Sequence, residues 1–299
     1  MNDRIGFIGL GRMGQGMASN ILKKLKRLMI YNASPERTRE LAEQGAAVAG
    51  SIAGLGAECD LIVLCLSGTQ AVEDVLFGSG SLAASARPGS LIIDFSTNDY
   101  LATVGLQARL AGQNLGYVDA PVSGWPAKAR EGTLSVMAGG QPEHLERARP
   151  VLEAVGNNIQ LMGGPGNGQL TKLASQAIYN LNIAAMAEVY PMAQKLGLDP
   201  EKLVEVTTRS ACRSFALESF ATLILDNKFN NNYPLQSAYK DLESLMEIIS
   251  ARNIPMPLTQ ALMTVYQTAL RQGLGEEDKG ALIKVYERLL GVEFRRRVA

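Results

Sequence analysis

Residues 4–14, RIGFIGLGRMG, decide the reading of this chain. Arg4 to Gly9 is a short apolar run suited to a buried strand, and Gln15 to Leu25 reads as a helix. Between them Gly9, Gly11 and Gly14 stand at G-x-G-x-x-G spacing, interleaved with Leu10, Arg12 and Met13. A glycine triplet alone is a weak signal; with a strand before it and a helix after it, it predicts a dinucleotide fingerprint. Gly9 makes the turn, Gly11 lets the backbone approach a pyrophosphate, and Gly14 packs helix on strand. The helix N-terminus then offers its N–H groups to the phosphates.

The second strand, Leu28 to Tyr31, ends at Asn32-Ala33-Ser34, where the adenosine ribose of a bound dinucleotide is read. A carboxylate there would favour NAD(H) and repel the extra phosphate of NADP(H). Asn32 is uncharged, Ser34 can donate, and Arg37 and Arg39 follow, so NADP(H) is the expected preference with NAD(H) as the alternative. Ser34 is also expected to cap a helix that starts at Pro35.

Strand and helix patterns then alternate. Leu61–Cys65, Ser90–Phe95 and Gly116–Asp119 are continuous apolar runs typical of central parallel strands. This predicts an α/β N-terminal Rossmann domain, a doubly wound parallel sheet that holds its ligand at the carboxyl ends of the strands. Cys65-Leu66-Ser67 and Ser96-Thr97 fall at such ends and are candidate walls for the cofactor. After Asp119, Ser123 and Gly124 are expected in a tight turn whose N–H groups cradle a carboxylate, with Trp125 beside them as an apolar wall. A further strand spans Ser135 to Ala138. The GGPGNG run at 163–168 marks a boundary, which predicts a Rossmann domain over 1–163 and an all-α C-terminal domain over 164–299. Helices are expected near 166–195, 200–208, 212–226, 235–252, 257–272 and 278–290.

The first of these, GNGQLTKLASQAIYNLNIAAMAEVYPMAQK, reads as a long interdomain helix, apolar around most of its circumference and therefore buried. Lys172, Ser175, Gln176 and Tyr179 nevertheless share one of its faces at helical spacing. A buried ammonium is expensive unless something uses it, so Lys172 is a candidate catalytic group, set against a lysine that reaches water from the helix start.

Bulk properties narrow the function. The 299 residues suffice for about two domains, and 29 basic against 29 acidic residues give no electrostatic reason to bind nucleic acid or an anionic membrane. Arg295–Arg297 reads as a solvated basic tail. The cysteines at 59, 65 and 212 lack metal-ligand spacing and read as free buried thiols. No apolar run is long enough to span a bilayer, and the N-terminal run has glycine turns where a signal peptide needs an apolar core, so a cytoplasmic protein is expected. The only histidine, His144, has charged neighbours that place it on an exposed turn, which removes histidine triads and histidine metal sites together. Apolar surplus over Ile183–Met192 and Leu242–Ile249 predicts a homodimer or homotetramer.

Four motifs stand together in order: GFIGLGRMG at 6–14, DAPVSG at 119–124, GNGQLTK at 166–172 and KDL at 240–242. Together they resemble the β-hydroxyacid dehydrogenase family, which includes 3-hydroxyisobutyrate dehydrogenase and tartronate semialdehyde reductase, over nearly the whole chain. The resemblance implies NAD(P)-dependent hydride transfer between the cofactor and a small carboxylate-bearing hydroxyacid or semialdehyde. It implies Lys172 as catalytic acid/base, Ser123 and Gly124 as holders of the substrate carboxylate, and Thr97 and Lys240 near the cofactor. Where the family commonly continues SGG this chain has Ser123-Gly124-Trp125, and where it commonly has two asparagines after the lysine it has Ser175-Gln176. Gln176 therefore takes the substrate-contacting amide one methylene further, and a substrate bulkier or more apolar than glyoxylate is expected. The alternatives are an imine reductase, whose members usually lack a lysine at this position, and a non-catalytic dinucleotide-binding module.

Overall fold

The computed structural model describes residues 3–230 and 233–296. By its internal contacts the chain divides into two compact units, Met1–Lys172 and Leu173–Ala299, so the division falls inside the long helix. The first unit is built on nine strands: β1 Ile5–Ile8, β2 Met29–Tyr31, β3 Ala47–Val48, β4 Leu61–Leu64, β5 Leu91–Asp94, β6 Gly116–Asp119, β7 Val122–Ser123, β8 Leu134–Gly140 and β9 Gly156–Leu161. They run in the order β3-β2-β1-β4-β5-β6-β8-β7, with β9 paired to β8. The pairs from β3 through β6 are parallel, and β8 lies antiparallel to both β6 and β7.

The apolar strands are continuous because the sheet is covered on both faces. Leu61, Val63, Leu91 and Ile93 pack on one side with Met17, Ile21 and Leu145, while Ile62, Leu64 and Ile92 pack on the other with Leu55, Leu76 and Leu106. The expected parallel core is therefore present, with strand limits within a residue or two. Three further strands carry no such signal. β3 and β7 have two residues each, and β9 presents mostly exposed, polar positions to solvent. Ser123 thus lies in a strand and not in a turn: β7 pairs with β8 through Ser123 and Ser135.

Among the described residues the second unit has no strand beyond an isolated bridge between Pro234 and Asp278. It carries helices Pro200–Arg209, Phe215–Leu225, Leu235–Ala251, Pro257–Arg271 and Ile283–Leu290, the last preceded by a 3₁₀ turn at Lys279–Leu282. Their apolar faces meet in one core around Phe220, Leu242, Tyr266 and Phe294. The long helix is Asn167–Lys195. It is not buried all round: Leu173, Ala177, Ile183, Ala187 and Tyr190 form a buried stripe, but Ile178 is 65% exposed and Val189 and Met192 are over 40% exposed. In the Leu242–Ile249 stretch, by contrast, Leu242 joins the core of its own unit, and Leu245, Ile248 and Ile249 are buried as well.

Other expectations need correction. His144 is half-buried, with its imidazole against the Cα of Gly116 and its Nδ1 shielded from solvent, because the helix Pro142–Val155 lies on the sheet. Cys59 is buried, but Cys65 is half-buried and Cys212 exposed. Arg295 pairs with Glu287, and Arg296 with Asp226 and Glu201, so these two arginines tie the chain down; Arg297 lies outside the described residues. Ser34 starts the 3₁₀ turn Pro35–Thr38 without a side-chain cap bond.

Candidate active site

The glycine turn between β1 and the helix Gly14–Leu25 follows directly from its sequence. Gly9 has a φ of +103°, and a Cβ there would lie 2.3 Å from the Cys65 carbonyl oxygen. A Cβ on Gly14 would lie 2.0 Å from the Gly9 carbonyl oxygen, so the helix can begin this close to the strand only without one. At Gly11 a Cβ would meet nothing within 4 Å, which leaves open space above the backbone where a diphosphate is expected. Asn32 braces the turn: its Oδ1 accepts from Leu10 N at 2.8 Å and its Nδ2 donates to Ser34 O at 3.0 Å. Its amide therefore works on the protein backbone.

A groove of about 340 Å³ opens beside this turn, lined by Leu10, Gly11, Arg12, Gln15, Glu36, Arg37 and Glu40. It collects the turn residues and Arg37 as the sequence suggested and adds Glu36 and Glu40. Arg39 is drawn away into an ion pair with Glu43 at 3.0 Å. Met13 precedes the helix start, and Cys65 and Leu66 leave the carboxyl end of β4 next to Gly9. Burial pushes the Cys65 thiol up to about 12, with the neighbouring Asp94 carboxylate adding to the shift, so it stays protonated. Leu66 N donates to Ser96 Oγ at 2.9 Å, tying the end of β4 to the loop that carries Thr97. These residues fit a dinucleotide: the turn is open at Gly11, and Arg12 and Arg37 line the outer groove together with Glu36 and Glu40.

At the carboxyl ends of β5 and β6 lies a polar network that the sequence reading missed. Asp94 and Asp119 are register partners on adjacent strands, and neither has any exposed surface. Asp94 accepts from Ser96 N at 2.8 Å, Asn98 Nδ2 at 2.7 Å and the Tyr117 hydroxyl at 2.7 Å, and burial raises its pKa. Asp119 accepts from Gly166 N and Gln169 N, both at 2.9 Å, and so caps the long helix from another strand. Burial lifts the Asp119 carboxyl to about 7 against those two donors, with the Asp94 charge adding to the shift. Gly168 is required for this docking, since a Cβ would lie 2.4 Å from Met137 O and 2.6 Å from Asp119 O.

Lys172, the next turn of that helix, is buried at 9% exposure, and its Nζ donates to Val122 O at 3.0 Å. The ammonium thus sits at the residue before Ser123. Ser123 is exposed, and Gly124 follows with a φ of +143°, so the chain turns there into the short helix Pro126–Glu131, which Trp125 precedes at 42% exposure. Gln176 and Lys240 belong to the helical unit. Gln176 Nε2 donates to Asp241 Oδ2 at 3.2 Å, an unforeseen partner that leaves Oε1 as the amide's acceptor, and Lys240 is exposed on the helix Leu235–Ala251. Among the described residues no group of three or more His, Cys, Asp or Glu side chains could hold a metal ion, and no helix is long and apolar enough to cross a membrane.

Comparison with known proteins agrees with this architecture. The family model for the NAD-binding domain of 6-phosphogluconate dehydrogenase matches residues 4–164, and the one for NAD-binding of NADP-dependent 3-hydroxyisobutyrate dehydrogenase matches residues 166–286. The 2-(hydroxymethyl)glutarate dehydrogenase of Eubacterium barkeri is 32% identical over 290 residues, covering 97% of this chain and 96% of the relative. The 2-hydroxy-3-oxopropionate reductase of Escherichia coli (strain K12) is 32% identical over 284 residues, 95% of this chain and 97% of the relative. The structure of 3-hydroxyisobutyrate dehydrogenase from Salmonella typhimurium superposes with a TM-score of 0.84 at 30% identity, covering 94% of this chain and 99% of that one. An imine reductase from Myxococcus stipitatus shares the fold alone, at 18% identity and a TM-score of 0.63 over 95% of this chain and 99% of that one. The chain belongs to the β-hydroxyacid dehydrogenase family and is an NAD(P)-dependent oxidoreductase acting on hydroxyacids or their semialdehydes.

The raised Asp119 carboxyl has a testable consequence for stability. Its folded pKa of about 7 lies above the unfolded value of about 3.9, so the ionised form is disfavoured by folding. The contribution of Asp119 is therefore greatest below the unfolded pKa and falls as pH rises to about 7. Urea denaturation of the parent and of Asp119→Asn should show the substitution costing less stability at pH 8 than at pH 5. An equal or larger cost at pH 8 would contradict the assignment.

Proposed function

We propose that Lys172 is the acid/base of the reaction and that the Ser123–Gly124 segment holds the substrate carboxylate. The observation that carries this reading is the Lys172 ammonium, buried yet delivered to Val122 O, immediately before that segment. When bound, the nicotinamide supplies or takes the hydride at the substrate carbon. In reduction, negative charge develops on the carbonyl oxygen, and a cationic Lys172 in hydrogen-bond reach stabilises it and hands over a proton. In oxidation the neutral amine takes the hydroxyl proton back. Gln176, one turn along the same helix, offers its Oε1 to a substrate hydroxyl while Asp241 fixes its amide. Trp125 supplies the apolar wall that favours a larger semialdehyde. Lys172→Ala should lower kcat by ~10²–10⁴-fold while cofactor Kd stays near the parent value, because the glycine turn is untouched. The assay uses a panel of small and large semialdehydes, and Trp125→Gly in that panel tests the wall. Turnover by a folded Lys172→Ala protein within a few-fold of the parent would sink the mechanism.

For the cofactor we propose a preference for NADP(H), with NAD(H) also accepted, and a role for Thr97 and for Lys240 near it. Support comes from Arg12 and Arg37 lining one groove next to the glycine turn; Glu36 and Glu40 in that groove oppose a phosphate and limit the preference. A charge-assisted bond to phosphate contributes roughly 1.5–3 kcal/mol, so Arg37→Ala should weaken NADPH by about 10-fold or more and leave NADH nearly unchanged. Equal losses for both would remove Arg37 from the phosphate site.

We further propose a homodimer or homotetramer in which a second copy covers the exposed stripe of the long helix. Leu170, Ile178, Val189 and Met192 recur at spacings that keep them on one face, and each is at least 36% exposed. Light scattering should return a multiple of 32.0 kDa, and Ile178→Glu should lower it; a parent monomer at micromolar concentration would refute the assembly.

A further inference from the structure

Gln169 is fully buried and uses its side-chain amide on both sides of Thr97. Its Nε2 donates to Ser96 O at 2.8 Å, and its Oε1 accepts from Asn98 N at 3.0 Å. The amide thus pairs with the chain as a neighbouring strand would, across a single residue. Ser96 and Asn98 are each 2% exposed and are held from below by Asp94, whereas Thr97 between them is only half-buried. The clamp therefore joins two buried residues across the half-buried Thr97.

The same residue is anchored in the opposite direction. Its backbone N–H donates to Asp119, as does Gly166 N, so its position along the helix is set by the end of β6. Three residues later, on the same side of the helix, comes Lys172. One buried side chain therefore ties the Thr97 loop to the first turns of the helix that bears the lysine. An apolar residue would fill this space without ordering the loop. An amide is required because one carbonyl oxygen and one N–H must be met at once, and only a side chain with both an acceptor and a donor meets them.

We infer that Gln169 is a positioning residue: it sets the distance between Thr97, proposed to lie near the cofactor, and Lys172, the proposed acid/base, so that hydride and proton reach adjacent substrate atoms together. The inference rests on the proposed roles of Thr97 and Lys172. It concerns geometry alone and assigns no chemistry to Gln169 itself. Small misplacements of reacting groups are costly, and about 1 Å can lower a rate by 10²-fold.

The test uses the full-length protein, NADPH carrying deuterium at the transferred position, and whichever semialdehyde the parent reduces with the highest kcat/KM. Gln169→Leu removes both bonds at similar volume; Gln169→Glu keeps the acceptor for Asn98 N and loses the donor for Ser96 O, and serves if the leucine variant does not fold. In a folded variant, NADPH Kd should stay within about threefold of the parent, because the glycine turn is untouched. The kcat should fall by about 100-fold for leucine, with a smaller loss for glutamate. The deuterium effect on kcat should also rise, because hydride transfer becomes the slow step. A kcat within threefold of the parent overturns the inference. So does a loss with an unchanged isotope effect, which would mark a merely structural role. Lys172→Ala, run alongside, separates the two claims: if it retains turnover, the acid/base reading fails irrespective of Gln169. If the parent reduces none of the semialdehydes, both fall together.

Discussion

The Asp119 carboxylate, accepting Gly166 N and Gln169 N, is the interaction on which the site depends. The first N–H groups of a helix have no partners within it, and a 29-residue helix that starts against the end of a sheet cannot give all of them to water. A carboxylate from β6 satisfies two of them and is favoured there by the helix dipole. Each bond to a charged group contributes roughly 1.5–3 kcal/mol and offsets part of the cost of burying the acid, whose pKa still rises to about 7. Because the bond runs from strand end to helix start, it also fixes where the next turn of the helix places Lys172.

A second carboxylate, Asp94, sits beside the first on the neighbouring strand, an arrangement that electrostatics alone opposes. It persists because Asp94 is met by donors, among them a backbone N–H, an amide and a phenol. The two acids divide the work. Asp94 organises the loop after β5, which carries Thr97, and Asp119 organises the helix that carries Lys172. Gln169 joins them. The end of the sheet therefore holds the candidate cofactor loop and the candidate acid/base in one hydrogen-bonded assembly, with little freedom for either to drift.

The outer groove is built differently. Arg12, Arg37, Glu36 and Glu40 surround it with both signs of charge, all of them exposed. Exposed charges are screened and individually weak, so discrimination there is graded, whereas the buried assembly admits few substitutions.

Much of this was legible in the chain itself. The glycine turn, the parallel strands, the helix spans of the second unit and Lys172 are all encoded by periodicity or spacing within a few residues, and such signals survive without knowledge of the fold. What only the tertiary structure decided is the identity of the partners. Asp119 meets Gly166 and Gln169 across 47 and 50 residues, Gln169 meets Asn98 and Ser96 across 71 and 73, Gln176 meets Asp241 across 65, and Asn32 meets Leu10 across 22. An isolated Asp, Gln or Asn reads in sequence as an ordinary polar residue. Its role appears only when folding buries it and removes the water, because a polar group without solvent must find a partner in the protein.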